Sequence, residues 1–262
     1  MALRDGFVEL RERGGIGWVR ADVAAVGLAP FWAPLQPFPG ARGRGGVGLL
    51  QVGSHELVVR PYRRGGAFGR LLRDRYSGPK RAQRELDVLE ALRQEGVPVV
   101  VPVAAVAQRS GAFWRLRLCT ERQHDALPLP AFLAAHPMLR RRTADAVGTV
   151  VRLAFAAGLR HPDLHLDNVL CCPSGDKVRA VLVDLDRASL GPALPERARD
   201  GMLVRMQRYV ARHHHALAAV PTRCETMRFL RGLGLDRDQR HAVWRRLAAK
   251  VARALRRRGL RA

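Results

Sequence analysis

Two short segments hold the residues most able to do chemistry: HPDLHLDNVL at 161–170 and VLVDLDR at 181–187. The first fits H-x-D-L-x-x-x-N through His161, Asp163, Leu164 and Asn168. The second ends an apolar run on an acidic dyad, Asp184 and Asp186. Phosphoryl transfer asks for such a set. One carboxylate accepts or orients the nucleophile's proton. An amide oxygen and a second carboxylate hold Mg²⁺ against the nucleotide phosphates. On that chemistry Asp163 is the candidate base, and Asn168 and Asp184 are the candidate metal ligands. A nucleotide and Mg²⁺ are the implied cofactors. An isolated H-x-D means little, because a loop Asp or Asn often only caps a turn. The joint pattern says more: an amphipathic helix, the motif, a hairpin, then apolar-Asp-x-Asp.

These residues need elements to position them. Val169-Leu170 and Val178 to Val183 flank the turn Pro173-Ser174-Gly175-Asp176 and predict a hairpin. It would fold Asn168 and Asp184 towards one end of two paired strands. Upstream, residues 138–158 place Ala144, Val147, Val151 and Phe155 on one helical face. Nearer the N-terminus, Gly43 to Gly48 matches G-x-G-x-x-G. Proline-rich sequence precedes it and strands follow, so a glycine hairpin covering phosphates fits better than a dinucleotide-binding turn. Gly43, Gly45 and Gly48 are its candidate contacts. Two segments, Val47 to Val52 and Glu56 to Arg60, read as a hairpin. Arg60 stands where a kinase lysine would reach the phosphates, and an arginine can donate to phosphate through two N–H groups. Its candidate partner is Glu85, on a helix from about Lys80 to Glu95 that Gly96 should stop.

The other early segments also read as strands: Phe7 to Leu10 with Trp18 to Arg20, Val97 to Ala107, and Phe113 to Thr120. From about Arg122 the chain becomes mainly helical. The expected fold is α+β, in two lobes. A strand-rich N-terminal lobe (1–122) would carry the phosphate loop and one helix. A helical C-terminal lobe (123–262) would carry the catalytic loop and metal site, with the catalytic cleft between the lobes.

The chain has 262 residues, and 46 Lys or Arg against 23 Asp or Glu give a formal charge of +23. With 47% hydrophobic residues it can bury a core, which excludes general disorder. Such a charge acts on phosphate, anionic lipid or nucleic acid. No nucleic-acid motif accompanies it, so no specific nucleic-acid partner is expected. Within residues 60–84, Arg63, Arg64, Arg73 and Arg75 are candidates for an acceptor or an anionic membrane surface. The end of the chain places Trp244, Leu247, Val251 and Leu255 at helical spacing among arginines. Two readings stay open there: a surface-bound helix and a helix packed on the lobe. Cys119, Cys171, Cys172 and Cys224 form no C-x-x-C pair and read as reduced thiols. The longest uncharged run, Val23 to Ala41, contains four prolines and cannot span a bilayer. A membrane would be met peripherally, from the cytoplasmic side.

The chain resembles the 3-deoxy-D-manno-octulosonic acid (Kdo) kinases and the wider lipopolysaccharide kinase family. The likeness runs from about Gly43 to Arg187. Its carriers are G-R-G at 43–45, V-R-P-Y-R-R-G-G at 59–66, D-R-Y at 74–76, R-E-L-x-V-L at 84–89, G-V-P-V at 96–99 and T-E-R at 120–122, with both motifs above. The resemblance implies a protein-kinase-like fold and a kinase acting with ATP and Mg²⁺ on a Kdo hydroxyl, the 4-position, of a lipid A precursor. It implies work at the cytoplasmic face of the bacterial inner membrane. Asp163 matches the family's proton acceptor, and Arg60 matches its phosphate-side arginine. Asp186 and His165 are further candidates to touch metal or acceptor. The alternatives are a kinase for core heptose, another small molecule or a protein, or an inactive kinase-like protein that binds membrane or nucleic acid.

Overall fold

Glycines at positive φ turn the N-terminal strands back on one another. The computed structural model describes residues 6–38, 46–64 and 74–256. Gly14 (φ 76°) reverses the chain between β1 (Phe7–Glu12) and β2 (Gly15–Arg20). Gly53 (φ 56°) does so between β4 (Gly48–Val52) and β5 (His55–Pro61), while the two-residue β3 (Gln36–Pro37) lies at the sheet edge. With β6 (Pro102–Ser110) and β7 (Phe113–Glu121) these form one antiparallel sheet, ordered β1-β2-β6-β7-β5-β4-β3. Val19, Phe31, Leu57, Val59, Val103 and Cys119 are fully buried in its core. Helix α1 (Lys80–Gln94) buries Leu86, Leu89 and Leu92, and Gly96 follows it at φ 72°.

The valine run at 97–107 is not one strand. β6 begins only at Pro102, whose missing N–H and a register shift before Ala104 interrupt the ladder. The residues before it turn to the other half of the chain. Val99 makes a parallel bridge with Leu182, and the Leu182 N–H donates to the Pro98 carbonyl at 3.0 Å. The chain accordingly divides into two compact units. One holds Met1–Arg93 and Val100–Gln123, and the other holds Gln94–Val99 and His124–Ala262.

The second unit is mainly helical: α2 (Leu129–Ala135), α3 (Arg140–Ala156), α4 (Glu196–His213), α5 (Arg223–Gly232) and α6 (Arg237–Arg256). It also holds a three-stranded sheet, ordered β10-β9-β8, from β8 (Leu127–Pro128), β9 (Val169–Ser174) and β10 (Lys177–Leu182). Helices α3 and α5 meet through glycines. A Cβ on Gly148 would lie 2.2 Å from the Phe229 carbonyl oxygen. Thr222 and Glu225 form a reciprocal N-cap for α5, and Arg140 grips the Glu225 carboxylate at 2.6 and 2.9 Å.

Of the two readings of the C-terminal helix, the packed one holds. Val243, Val251 and Leu255 of α6 are buried, and Arg246 and Lys250 bind Asp200 of α4. The helices leave an apolar cavity of about 360 Å³ among Leu133, Val147, Met206, Phe229, Leu247 and Leu255. All four cysteines are free thiols; Cys119, Cys171 and Cys172 are buried and Cys224 is exposed. Burial pushes the Cys119 and Cys171 thiols up to about 12. Among the described residues no helix is long and apolar enough to cross a membrane.

Candidate functional site

A buried histidine ties the two motifs of the helical unit together. The imidazole of His161 is 3% exposed. Its Nδ1 accepts the Asp163 backbone N–H at 3.0 Å, and its Nε2 donates to the Asp184 carbonyl at 2.8 Å. Those two bonds assign the tautomer with hydrogen on Nε2. One side chain thereby spaces the backbones of the candidate base and a candidate metal ligand. Asn168 adds a second tie: its Nδ2 donates to the Asp163 carbonyl at 3.0 Å. Asn168 is 5% exposed, in a single 3₁₀ turn (Leu166–Asn168) that leads straight into β9.

The hairpin works as its sequence predicts. Leu182 pairs with Val169, and the Val183 N–H donates to the Asn168 carbonyl at 2.9 Å. Asp184 follows at φ 54° and Arg187 at φ 61°. A non-glycine residue in this left-handed region costs on the order of 1 kcal/mol, least for Asp and Asn. At Asp184 the turn sends the carbonyl back to His161 and leaves the residue exposed. Asp163 is exposed as well, whereas its neighbour Leu164 is buried. The Asn168 nitrogen is committed to Asp163, so its oxygen is the atom left for a cation. An amide oxygen and a carboxylate make a hard, incomplete donor set. That suits a Mg²⁺ ion, which keeps waters and takes phosphate oxygens from a nucleotide.

Helix α4 lies alongside this loop. Tyr209 donates from its hydroxyl to the Asp167 carboxylate, and its ring stacks on His165 with centroids 4.3 Å apart and planes 9° apart. On its other side the ring meets His213 at 4.3 Å. Burial, then the bond to Asp167 and the charges of Asp167 and Asp163, push the phenol well above its ordinary value. Burial pulls His165 down, against the charges of Asp163, Asp167 and Asp184. The Nδ1 of His165 is buried and has no hydrogen-bond partner among the described residues.

In the sheet unit, Arg60 and Glu85 meet. Arg60 Nη2 lies 2.5 and 2.6 Å from the two carboxylate oxygens of Glu85. The Tyr62 hydroxyl donates to the same carboxylate at 2.5 Å. The Glu85 side chain is 1% exposed and that of Arg60 is 23% exposed. The Arg60 guanidinium lies 4.7 Å from the Tyr62 ring centre, and Arg81 caps Tyr62 and Tyr76 at 5.6 and 5.2 Å. Tyr62 and Tyr76 stand edge to face, 6.2 Å apart. These tyrosines belong to the V-R-P-Y and D-R-Y segments, so part of each segment serves to pack the Arg60–Glu85 pair.

The remaining candidates are scattered. Gly43, Gly45 and Arg73 lie outside the described residues. Gly48 opens β4, where a Cβ would sit 2.6 Å from the Gln36 carbonyl oxygen and from Leu35 Cβ, so strand packing demands a glycine there. Arg63 is exposed beside Gly46, whose added Cβ would lie 3.2 Å from its guanidinium. Arg64 stacks on Tyr76 at 4.8 Å and donates to the carbonyl of the exposed Arg75 at 2.9 Å. Asp186 is half-buried two residues past Asp184. Sequence reasoning missed His161 as the organising residue, although it stands in the motif. Tyr62, Arg81 and Tyr209 gave no signal of their own, since their partners lie far along the chain.

With this geometry in view, three comparisons bear on the chain. The family model "Lipopolysaccharide kinase (Kdo/WaaP) family" matches residues 32–232. A 3-deoxy-D-manno-octulosonic acid kinase of Vibrio vulnificus (strain YJ016) is 32% identical over 158 residues, 58% of this chain and 66% of that protein. The corresponding kinase of Xanthomonas oryzae pv. oryzae (strain PXO99A) is 35% identical over 154 residues, 56% of this chain and 59% of that protein. The chain thus spans somewhat less than two thirds of the length of these curated relatives. Among solved structures, "WaaP in complex with acyl carrier protein" superposes with a TM-score of 0.58 at 21% identity, covering 86% of this chain and 90% of that one. At that identity the likeness concerns the fold: a sheet-rich unit followed by a helical one.

Proposed function

The chain belongs to the lipopolysaccharide kinase (Kdo/WaaP) family, and from that premise we propose that it transfers the terminal phosphoryl group of ATP to a Kdo hydroxyl, the 4-position, of a lipid A precursor. The observation that carries the reading is the His161 bridge, which fixes Asp163 and Asp184 relative to one another within one loop system. The Kdo kinases among the relatives favour this sugar acid over other acceptors.

Asp163 holds the acceptor hydroxyl and takes its proton as the new P–O bond forms. Its backbone is pinned at both the N–H and the carbonyl, so little reorganisation remains at the moment of reaction. The Asn168 oxygen and the Asp184 carboxylate are the residues to hold Mg²⁺. When bound, that ion neutralises charge developing on the transferred phosphoryl group. In the sheet unit, Arg60 serves the nucleotide phosphates. Glu85 and Tyr62 hold its guanidinium in one place. The basic residues Arg63, Arg64 and Arg75 favour an anionic acceptor at a membrane surface, with the protein bound peripherally on the cytoplasmic side.

The test is phosphoryl transfer from Mg-ATP to purified Kdo-lipid A precursor, with the product hydroxyl assigned by NMR. Asp163→Asn should lower turnover by about 10²-fold or more, with the KM for ATP nearly unchanged. Near-normal turnover in this folded variant would remove Asp163 from its role.

A further inference from the structure

The face of α4 beside Asp163 offers the proposed reaction a means of recognising its acceptor. Arg205, Tyr209 and Arg212 recur at i, i+4 and i+7 and so share one side of the helix. That side faces the catalytic loop. Tyr209 reaches Asp167 and stacks on His165, and Arg205 Nη1 lies 3.5 Å from the carbonyl of His161, two residues before Asp163.

Elsewhere in this unit, arginines beside acids are paired: Arg140 with Glu225, Arg231 with Asp145, Arg246 with Asp200. Arg205 and Arg212 are exposed and form no ion pair among the described residues. Asp167, the loop acid that α4 does reach, is taken by Tyr209. One cation, Arg205, is therefore kept at the loop that carries the base, with a second, Arg212, on the same face of α4.

A sugar acid needs them. Its reacting hydroxyl must approach two acidic motifs, Asp163 with Asp167 and Asp184 with Asp186. Its own carboxylate carries the same sign of charge as these acids and needs a cation beside it. A planar guanidinium offset from the base accepts that carboxylate through two parallel N–H donors and fixes the sugar's orientation. Orientation then decides which hydroxyl meets Asp163.

We propose that Arg205, supported by Arg212 on the same face of α4, binds the carboxylate of the sugar-acid acceptor and thereby sets acceptor specificity. This rests on the Kdo kinase reading above. A neutral sugar of similar shape would leave the two arginines unpaired and would be a poor acceptor.

The experiment compares Kdo-lipid A precursor with the same acceptor carrying a methyl ester on the Kdo carboxyl, at saturating Mg-ATP. Arg205→Gln should raise the KM for the acid acceptor roughly tenfold to a hundredfold, the range for a lost charge-assisted hydrogen bond, with the KM for ATP unchanged. Arg205→Lys should fall between, since it keeps the charge and loses the fork. For wild type the ester should cost a similar factor. For Arg205→Gln it should cost little more, because the partner is already gone. An unchanged acceptor KM in Arg205→Gln overturns the inference while leaving the Kdo kinase reading intact. So does a wild type that uses the ester as well as the acid, which would turn attention to the acceptor's lipid phosphates. A wild type that phosphorylates neither acceptor overturns the kinase reading itself, and this inference with it.

Discussion

Glu85 is held through its side chain. Arg60 and Tyr62 both bind its carboxylate, and burial leaves it 1% exposed. Asp163 and Asp184 are held through their backbones, by His161 and Asn168, while both residues stand exposed. The contrast separates two tasks that a carboxylate can perform. One that orients a neighbouring cation gains from being enclosed, because a low local dielectric strengthens the pair and removes competing water. One that must meet a substrate proton or a metal has to stay reachable, so it is tied at the main chain and kept at the surface.

This contrast can be broken by two substitutions with opposite expected signatures. Asp184→Asn keeps a residue tolerant of the left-handed backbone but removes the charge. Transfer should fall by about 10²-fold or more, because the proposed Mg²⁺ ligand is weakened, and the denaturant midpoint should move less than in Glu85→Gln, since Asp184 is exposed. A variant that loses stability instead would place Asp184 with the enclosed group. Glu85→Gln should do the reverse. It leaves Arg60 partly buried without a counter-charge, at a cost of about 3 kcal/mol, the low end for a broken buried pair because Arg60 keeps 23% of its side chain in water. Urea unfolding measures this directly. A midpoint equal to wild type would show that the pair holds up nothing.

A smaller effect sharpens the same comparison outside the site. Asp200 is another enclosed carboxylate, bound by Arg246 at 2.9 Å and Lys250 at 2.6 Å. Burial alone would raise its pKa, but these two partners outweigh it and hold the group below its ordinary value of 3.8. The sign follows from linkage. A carboxylate depressed in the folded state contributes stability that is complete above the unfolded value and is lost as pH falls through the folded one. Wild type should therefore exceed Asp200→Asn in stability at neutral pH. The gap should close in the acid range below the ordinary carboxylate value. A gap that widens on acidification would contradict the assignment.

How far the sequence could be read depended on distance along the chain. The candidate catalytic loop was legible because its parts are close together: Asp163 and Asn168 share one motif, and a hairpin whose turn residues announce it brings Asp184 beside Asn168. Helices α1 and α3 were legible from Leu86, Leu89 and Leu92 and from Val147, Val151 and Phe155. The Arg60–Glu85 pair was reachable from strand and helix order. Its third partner, Tyr62, was not, because a hydroxyl aimed at a carboxylate on another element leaves no periodic trace. Residues 97–101 misled for a related reason. An apolar run reads the same whether it pairs within one sheet or crosses to another unit, and only the partner, Leu182, decides. The C-terminal helix was ambiguous because a basic amphipathic helix suits a bilayer or a protein face equally. Asp200 settles it by offering two of those cations a partner.

The thiols give each unit a clock of its own. Alkylating reagents attack thiolates, and neither Cys119 nor Cys171 yields one readily while its pKa sits at about 12 in a closed core. Labelling at either position therefore has to wait for an opening event, so its rate reports the free energy of opening around that cysteine. Cys119 lies in the core of the seven-stranded sheet and Cys171 on the central strand of the three-stranded sheet. Cys224, exposed on α5, sets the unprotected rate in the same molecule. Mass spectrometry of one time course can thus follow the two units separately, and a nucleotide that steadies one of them would slow its own cysteine and leave the other keeping its former time.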